Sequence, residues 1–137
     1  MLAPGGVLGV CDSDVSTLRM APDTPFTRAF VPLFRRYREV GASPYYALQQ
    51  RQLLRASGFV RTEAVTLTEC LATPEETRVH GEAIVGMLTE HLGPLAVERG
   101  WADRATLDDS IAGARAWGED PDALWASLHL AAVAWAD

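Results

Sequence analysis

Leu124-Trp125-Ala126-Ser127-Leu128-His129-Leu130-Ala131-Ala132-Val133-Ala134-Trp135 decides the fold, because it reads two ways. Its alanines favour helix. Strict alternation is also available, with Trp125, His129, Val133 and Trp135 on one face and Leu124, Leu128 and Leu130 on the other. Taken alone the stretch leans to helix, and the segments before it have to decide whether a sheet is there to receive it.

Asp120-Pro121 separates the stretch from a helix reaching Trp117-Gly118, for which Thr106-Leu107-Asp108-Asp109 supplies a start. Upstream, Thr73-Pro74-Glu75-Glu76 combines a Thr N-cap, Pro at the first helical position and Glu at the third, a full capping box. The helix it opens should run to about Leu92, before Gly93-Pro94. Phe59 to Leu71 reads as a strand from its β-branched content and partial alternation. Ser43-Pro44 opens a helix closing at Gly58, and Thr24-Pro25 opens one whose Phe26, Phe30, Leu33, Tyr37 and Val40 recur at helical spacing. Before that, Pro4-Gly5-Gly6 turns the chain into Val7-Leu8-Gly9-Val10-Cys11. This short apolar run suits a strand covered on both faces, and it should end at the polar cluster Asp12-Ser13-Asp14.

The 137 residues allow one domain with a modest core. Eighteen acidic residues against 12 basic ones give a net charge of −6, which disfavours nucleic acid as a partner. All 12 basic residues are Arg, and Lys and Asn are absent, a bias that a GC-rich genome produces. The one basic cluster, Arg35, Arg36 and Arg38, reads as a solvated helix face. Cys11 and Cys70 have no metal-ligand spacing and read as small buried hydrophobes in strands. No run approaches the ~18 apolar residues of a membrane span, and no basic leader marks a signal peptide, so no membrane partner and a cytoplasmic location are expected.

In order and wording, three segments resemble the C-terminal half of class I S-adenosylmethionine-dependent methyltransferases. Leu2-Ala3-Pro4-Gly5-Gly6-Val7-Leu8 is similar to the turn leading into that family's fifth strand. Leu53-Leu54-Arg55-Ala56-Ser57-Gly58-Phe59 resembles the helix end before its sixth, and Asp120-Pro121-Asp122-Ala123-Leu124 the approach to its seventh. The nearest likeness is to small-molecule enzymes of the ubiquinone and menaquinone biosynthesis type. The resemblance implies an α/β fold: a partial doubly wound sheet of three strands, the fifth, seventh and sixth of the methyltransferase fold, with flanking helices. It places the last strand antiparallel between the other two, so residues 124–135 become strand. Residues 72–119 become a helical excursion of the kind that helps to form substrate pockets, within a single half-domain spanning 1–137.

The family's glycine-rich cofactor loop and acidic ribose ligand have no counterpart here. Gly5, Gly6 and Gly9 precede and enter a strand, whereas a cofactor loop leaves one. The expected cofactor-binding residues are therefore none and the metal ligands none. S-adenosylmethionine enters only if the chain is joined to an N-terminal half, and Met1 could be an internal start. Without that half the chain should be inactive. With the last strand inserted, the strands of Cys11 and Cys70 stand about 9.5 Å apart, too far for a disulfide.

Methyl transfer is an in-line displacement, so positioning does most of the work and a base serves only where the methyl acceptor must lose a proton. The catalytic candidates are His80 and His91, eleven residues or about three helical turns apart and so on one face. Their ordinary reading is as partly buried or surface histidines, and His129 reads as structural. For binding a small-molecule methyl acceptor the candidates are Asp12 and Asp14, past the first strand, with Tyr45 and Trp101. Against these stand a solvated loop in which Asp caps its own backbone, and aromatics that are simply core. The run 7–11 would present an unprotected apolar edge beside a sheet face lacking its helix. Partners are therefore self-association or an N-terminal methyltransferase half. A stand-alone, non-catalytic binding protein derived from this half is the alternative function.

Overall fold

The computed structural model describes residues 2–41, 43 and 45–136; Met1 and Pro44 fall outside them. The element order is β1 (Val7–Ala21), α1 (Pro25–Glu39), α2 (Tyr46–Ala56), β2 (Arg61–Leu71), α3 (Pro74–Glu90), α4 (Leu92–Glu98), α5 (Arg104–Gly118) and β3 (Leu124–Trp135). The fold is α/β, with one three-stranded sheet in the order β1-β3-β2. β3 runs antiparallel to both neighbours, pairing Val7 and Arg61 with Trp135 at one end and Ala21 with Leu124 at the other. Residues 124–135 are thus strand, against their alanine propensity, because two partners occupy both ladders of their backbone.

Register explains which side chains are covered. Leu8, Val10, Thr62 and Ala64 stand opposite Ala134 and Ala132, and this face packs under α2 through Leu54 and Phe59. The small Ala side chains let the helix approach closely. Buried Gln50 of α2 donates to Leu130 O at 3.1 Å and accepts from Asp12 N at 3.1 Å, bridging β3 and β1. On the other face, the carboxyl ends of β1 and β2 and the start of β3 are covered by helices. There Leu18, Phe26, Phe30, Leu88, Leu92, Trp117 and Trp125 form the main core. Burial along β3 therefore changes sides: Trp125 and Ser127 at its start, Ala132 and Ala134 near its end.

The rest of that second face is open. Val7, Cys11, Val65 and Leu67 are exposed, 55% for Val7, 56% for Val65 and 53% for Leu67, beside half-covered Ala131, Val133 and Trp135. At the Trp135 end it carries Arg61 and Glu63, paired at 2.9 Å, with Arg61 also stacked 4.1 Å above the Trp135 ring. β1 pairs only with β3, so among the described residues its outer edge has no partner strand.

The excursion between β2 and β3 carries three helices, α3, α4 and α5, and its boundaries follow local chemistry. The capping box at Thr73 forms in both directions: Glu76 N donates to Thr73 Oγ1 at 3.3 Å, and Thr73 N donates to Glu76 Oε2 at 3.0 Å. Gly93-Pro94 does not end the helical path, because Pro94 sits in the first turn of α4, where its missing N–H is not needed. α5 starts at Arg104, three residues earlier than Leu107, because Asp103 is the N-cap and accepts from Thr106 N at 2.7 Å.

Three further expectations are corrected. β1 does not stop at Asp12-Ser13-Asp14; it continues to Ala21 after a register shift between Asp14 and Arg19. Arg35 supports the shift by donating to Val15 O, Ser16 O and Leu18 O at 3.3, 3.0 and 3.4 Å, and Arg38 pairs with Asp12 at 3.2 Å. These arginines hold β1 and are not merely a solvated face. Cys11 and Cys70 are free, as the strand order requires, but both are exposed and not buried. Cys11 lies on the open face opposite Ala131, and Cys70 opposite Ala126.

Candidate functional site

The carboxyl end of β2 carries a group of mutually bonded polar side chains. Glu69 stands opposite Ser127, two residues before the strand ends, and Leu67 opposite His129. Alternation therefore points Glu69, Trp125, Ser127 and His129 to one side. Glu69 Oε2 accepts from Trp125 Nε1 at 3.0 Å and from Ser127 Oγ at 3.3 Å, and faces His129 Nε2 at 3.3 Å. The carboxylate is 38% exposed and the imidazole 28%, so the pair looks out onto the open face.

Ser127, His129 and Glu69 do not form a nucleophilic triad. Such a relay needs the serine and the acid on different imidazole nitrogens. Here Ser127 Oγ, at 3.4 Å, and Glu69 both meet Nε2. What the arrangement offers is a carboxylate that orients an imidazole, the basic element of a proton-accepting pair.

His80, one of the two catalytic candidates, reaches the same place from α3. Its ring packs edge-on against Trp125 with centroids 4.3 Å apart, and against Trp117 at 6.3 Å. Its Nε2 is buried without a hydrogen-bond partner among the described residues. Burial holds the imidazole below its ordinary pKa of 6.5, opposed in part by the charge on Glu69. Beside it a cavity of about 460 Å³ is lined by Leu71, Thr73, Glu76, Val79, His80 and Ala83. Glu76 is already occupied there, since the amide and hydroxyl of Thr73 hold its carboxyl below the usual range.

The other candidates are dispersed. His91 does not share a face with His80: it caps the α3–α4 junction, is 65% exposed and lies 4.0 Å from Glu90. Asp12 and Asp14 belong to β1 and not to a loop beyond it. Asp14 is buried and its Oδ1 accepts from Ser16 N and Ser16 Oγ at 3.0 and 2.6 Å, capping its own backbone. Tyr45 and Tyr46 are exposed, against the expectation of core, while Trp101 packs against the main cluster. Among the described residues no group of His, Cys, Asp and Glu is placed to hold a metal ion, and no helix is long and apolar enough to cross a membrane.

No protein-family model matches the chain, and no curated protein does.

Sequence reasoning missed Glu69, the hub of the group. The available signal was an acid within a Thr-rich strand, where acids are depleted, together with Trp125, Ser127 and His129 alternating on the last strand.

Proposed function

We propose that this chain is the methyl-acceptor-binding half of a class I S-adenosylmethionine-dependent methyltransferase for small molecules, completed by a separate cofactor-binding half. The observation that carries the reading is the strand order: β3 lies antiparallel between β1 and β2, as the resemblance implies for the seventh strand of that fold. The helical excursion between β2 and β3, and the Pro4-Gly5-Gly6 turn before β1, support it.

On this reading the Pro4-Gly5-Gly6 turn is not the cofactor loop. Gly5 N donates to Ala136 O at 3.1 Å and Gly6 N to Ala3 O at 2.8 Å, so the amides of this glycine turn are engaged within the fold. The chain's own contribution is a surface at the carboxyl end of the sheet, where the Glu69–His129 pair would orient a methyl acceptor and take up its proton.

Calorimetric titration tests the division of labour. The 137-residue chain should give no S-adenosylmethionine isotherm, and the chain joined to an upstream-encoded half with a D/E-x-G-x-G-x-G segment should bind one equivalent. One equivalent bound at micromolar affinity by the 137 residues alone would sink the reading. The second reading, a self-associating protein without catalysis, is favoured by the free outer edge of β1 and the open face beside it. It prevails if no such half is encoded upstream.

A further inference from the structure

The register shift in β1 leaves Val15, Ser16 and Leu18 outside the regular ladder, and two arginines satisfy their carbonyl oxygens. Arg35 reaches all three from α1, and Arg19 Nη1 donates to Ser16 O at 3.3 Å and to Leu18 O at 2.8 Å. Because both side chains bind the oxygens of Ser16 and Leu18, two cationic nitrogens are held within about 6 Å of each other and repel. Among the described residues neither guanidinium has a carboxylate within 4.0 Å. Asp14, the acid nearest in sequence to Ser16, is turned onto Ser16's amide and hydroxyl.

Arg28 completes the group. Arg19, Arg28 and Arg35 line one cavity of about 290 Å³ with Thr27, Val31 and the carboxylate of Asp23, which pairs with Arg28 at 2.9 Å. Three guanidiniums against one carboxylate leave two positive charges in a chain whose net charge is −6. Arg35 Nη1 and the Nε and Nη2 of Arg19 carry N–H donors with no partner among the described residues.

We propose that this cavity binds a phosphate monoester through Arg19 and Arg35. The charge excess matches a phosphate monoester, about −1.5 to −2 at neutral pH, better than a single carboxylate. The Nε and Nη2 of Arg19 form a planar donor pair for phosphate oxygens, Arg35 Nη1 adds a further donor, and the occupant removes the repulsion between the two guanidiniums. The volume admits a phosphate with a body of a few carbons. The overall negative charge of the chain argues against a long nucleic acid as the source of the phosphate. The inference stands on the β1 shift alone and does not depend on the methyltransferase reading.

Calorimetric titration of the chain in chloride buffer tests it, with glycerol phosphate, inorganic phosphate and acetate as probes. Glycerol phosphate should bind with unit stoichiometry, more tightly than inorganic phosphate, and acetate should give no isotherm. Arg19→Gln, a change at an exposed side chain, should weaken binding about tenfold. Asp23→Asn should tighten it several-fold by removing the cavity's one carboxylate and releasing Arg28. Arg35 is left unmutated because Val15 O has no other side-chain donor among the described residues, whereas Ser16 O and Leu18 O keep Arg35 when Arg19 is replaced. A flat glycerol phosphate titration, binding indifferent to Arg19→Gln, or weaker binding by Asp23→Asn would each overturn the proposal.

Discussion

Gly81 and Gly118 meet where α3 crosses α5, so closely that a Cβ on Gly81 would lie 3.0 Å from Gly118 Cα and 3.0 Å from Ala114 O. Thr77 Oγ1 closes the contact by donating to Gly118 O at 3.2 Å. The crossing is backbone against backbone, with no flexible side-chain end to yield. Gly81→Val should therefore lower stability by about 1–3 kcal/mol. Gly86, in the same helix, has nothing within 4 Å of a built Cβ, so Gly86→Ala should raise stability by about 0.5–1 kcal/mol. Urea unfolding midpoints give both values, and equal midpoints for Gly81→Val and the parent would show that the helices separate at no cost.

The capping box at the start of α3 gives a second, smaller expectation. Thr73→Ala should cost about 0.5–2 kcal/mol, since it leaves Glu76 N without its acceptor. Thr73→Ser should retain most of the cap. A thermal denaturation series of the two variants checks the ordering, which a loss shared by both would contradict.

Acid should weaken the fold before the carboxylates protonate. Burial lowers the pKa of His80 in the folded chain, so over this range the unfolded chain binds the proton more readily. Stability from this group is complete above its ordinary value of 6.5 and is lost as pH falls below it, toward the lowered folded value. Glu76 and Asp103, also lowered, lose their contribution further down, below their ordinary 4.5 and 3.8. His80→Phe should flatten the loss between pH 7 and 5 while leaving the lower limb in place. Melting temperatures that still fall through that window in His80→Phe would assign the effect elsewhere.

The open face predicts an assembly larger than 14.9 kDa in sedimentation equilibrium. Val65→Lys places a charge on that face and should return the chain to a folded monomer. Leu8→Lys is a different experiment, because Leu8 packs beneath α2 and its loss should unfold the chain. A parent chain already monomeric at high concentration would refute the assembly.

Helix starts were the most legible features in the sequence, because Thr24-Pro25 and Thr73-Pro74 act through their immediate neighbours. The strand state of 124–135 was not legible locally: its alternation competes with alanine propensity, and pairing with β1 and β2 decides the matter. The length of β1 was hidden for a related reason. Asp12 is met by Arg38 and Gln50, and the carbonyls beyond it by Arg35, partners 17 to 38 residues away that a local reading cannot supply. His80 was visible as a titratable side chain, but its place beside Trp125 and Glu69 depends on α3 folding back against the start of β3.

β3 is both the central strand of the sheet and the last of its three in chain order. During synthesis β1 and β2 emerge with no strand to join, since each pairs only with residues 124–135. The helices between them can form from local signals, but the sheet cannot close until residues 124–135 have emerged. The apolar strands β1 and β2 therefore wait unpaired until residues 124–135 have been made. A premature stop before Leu124 would yield helices and two unpaired strands, a product suited to chaperone capture or degradation rather than to partial function.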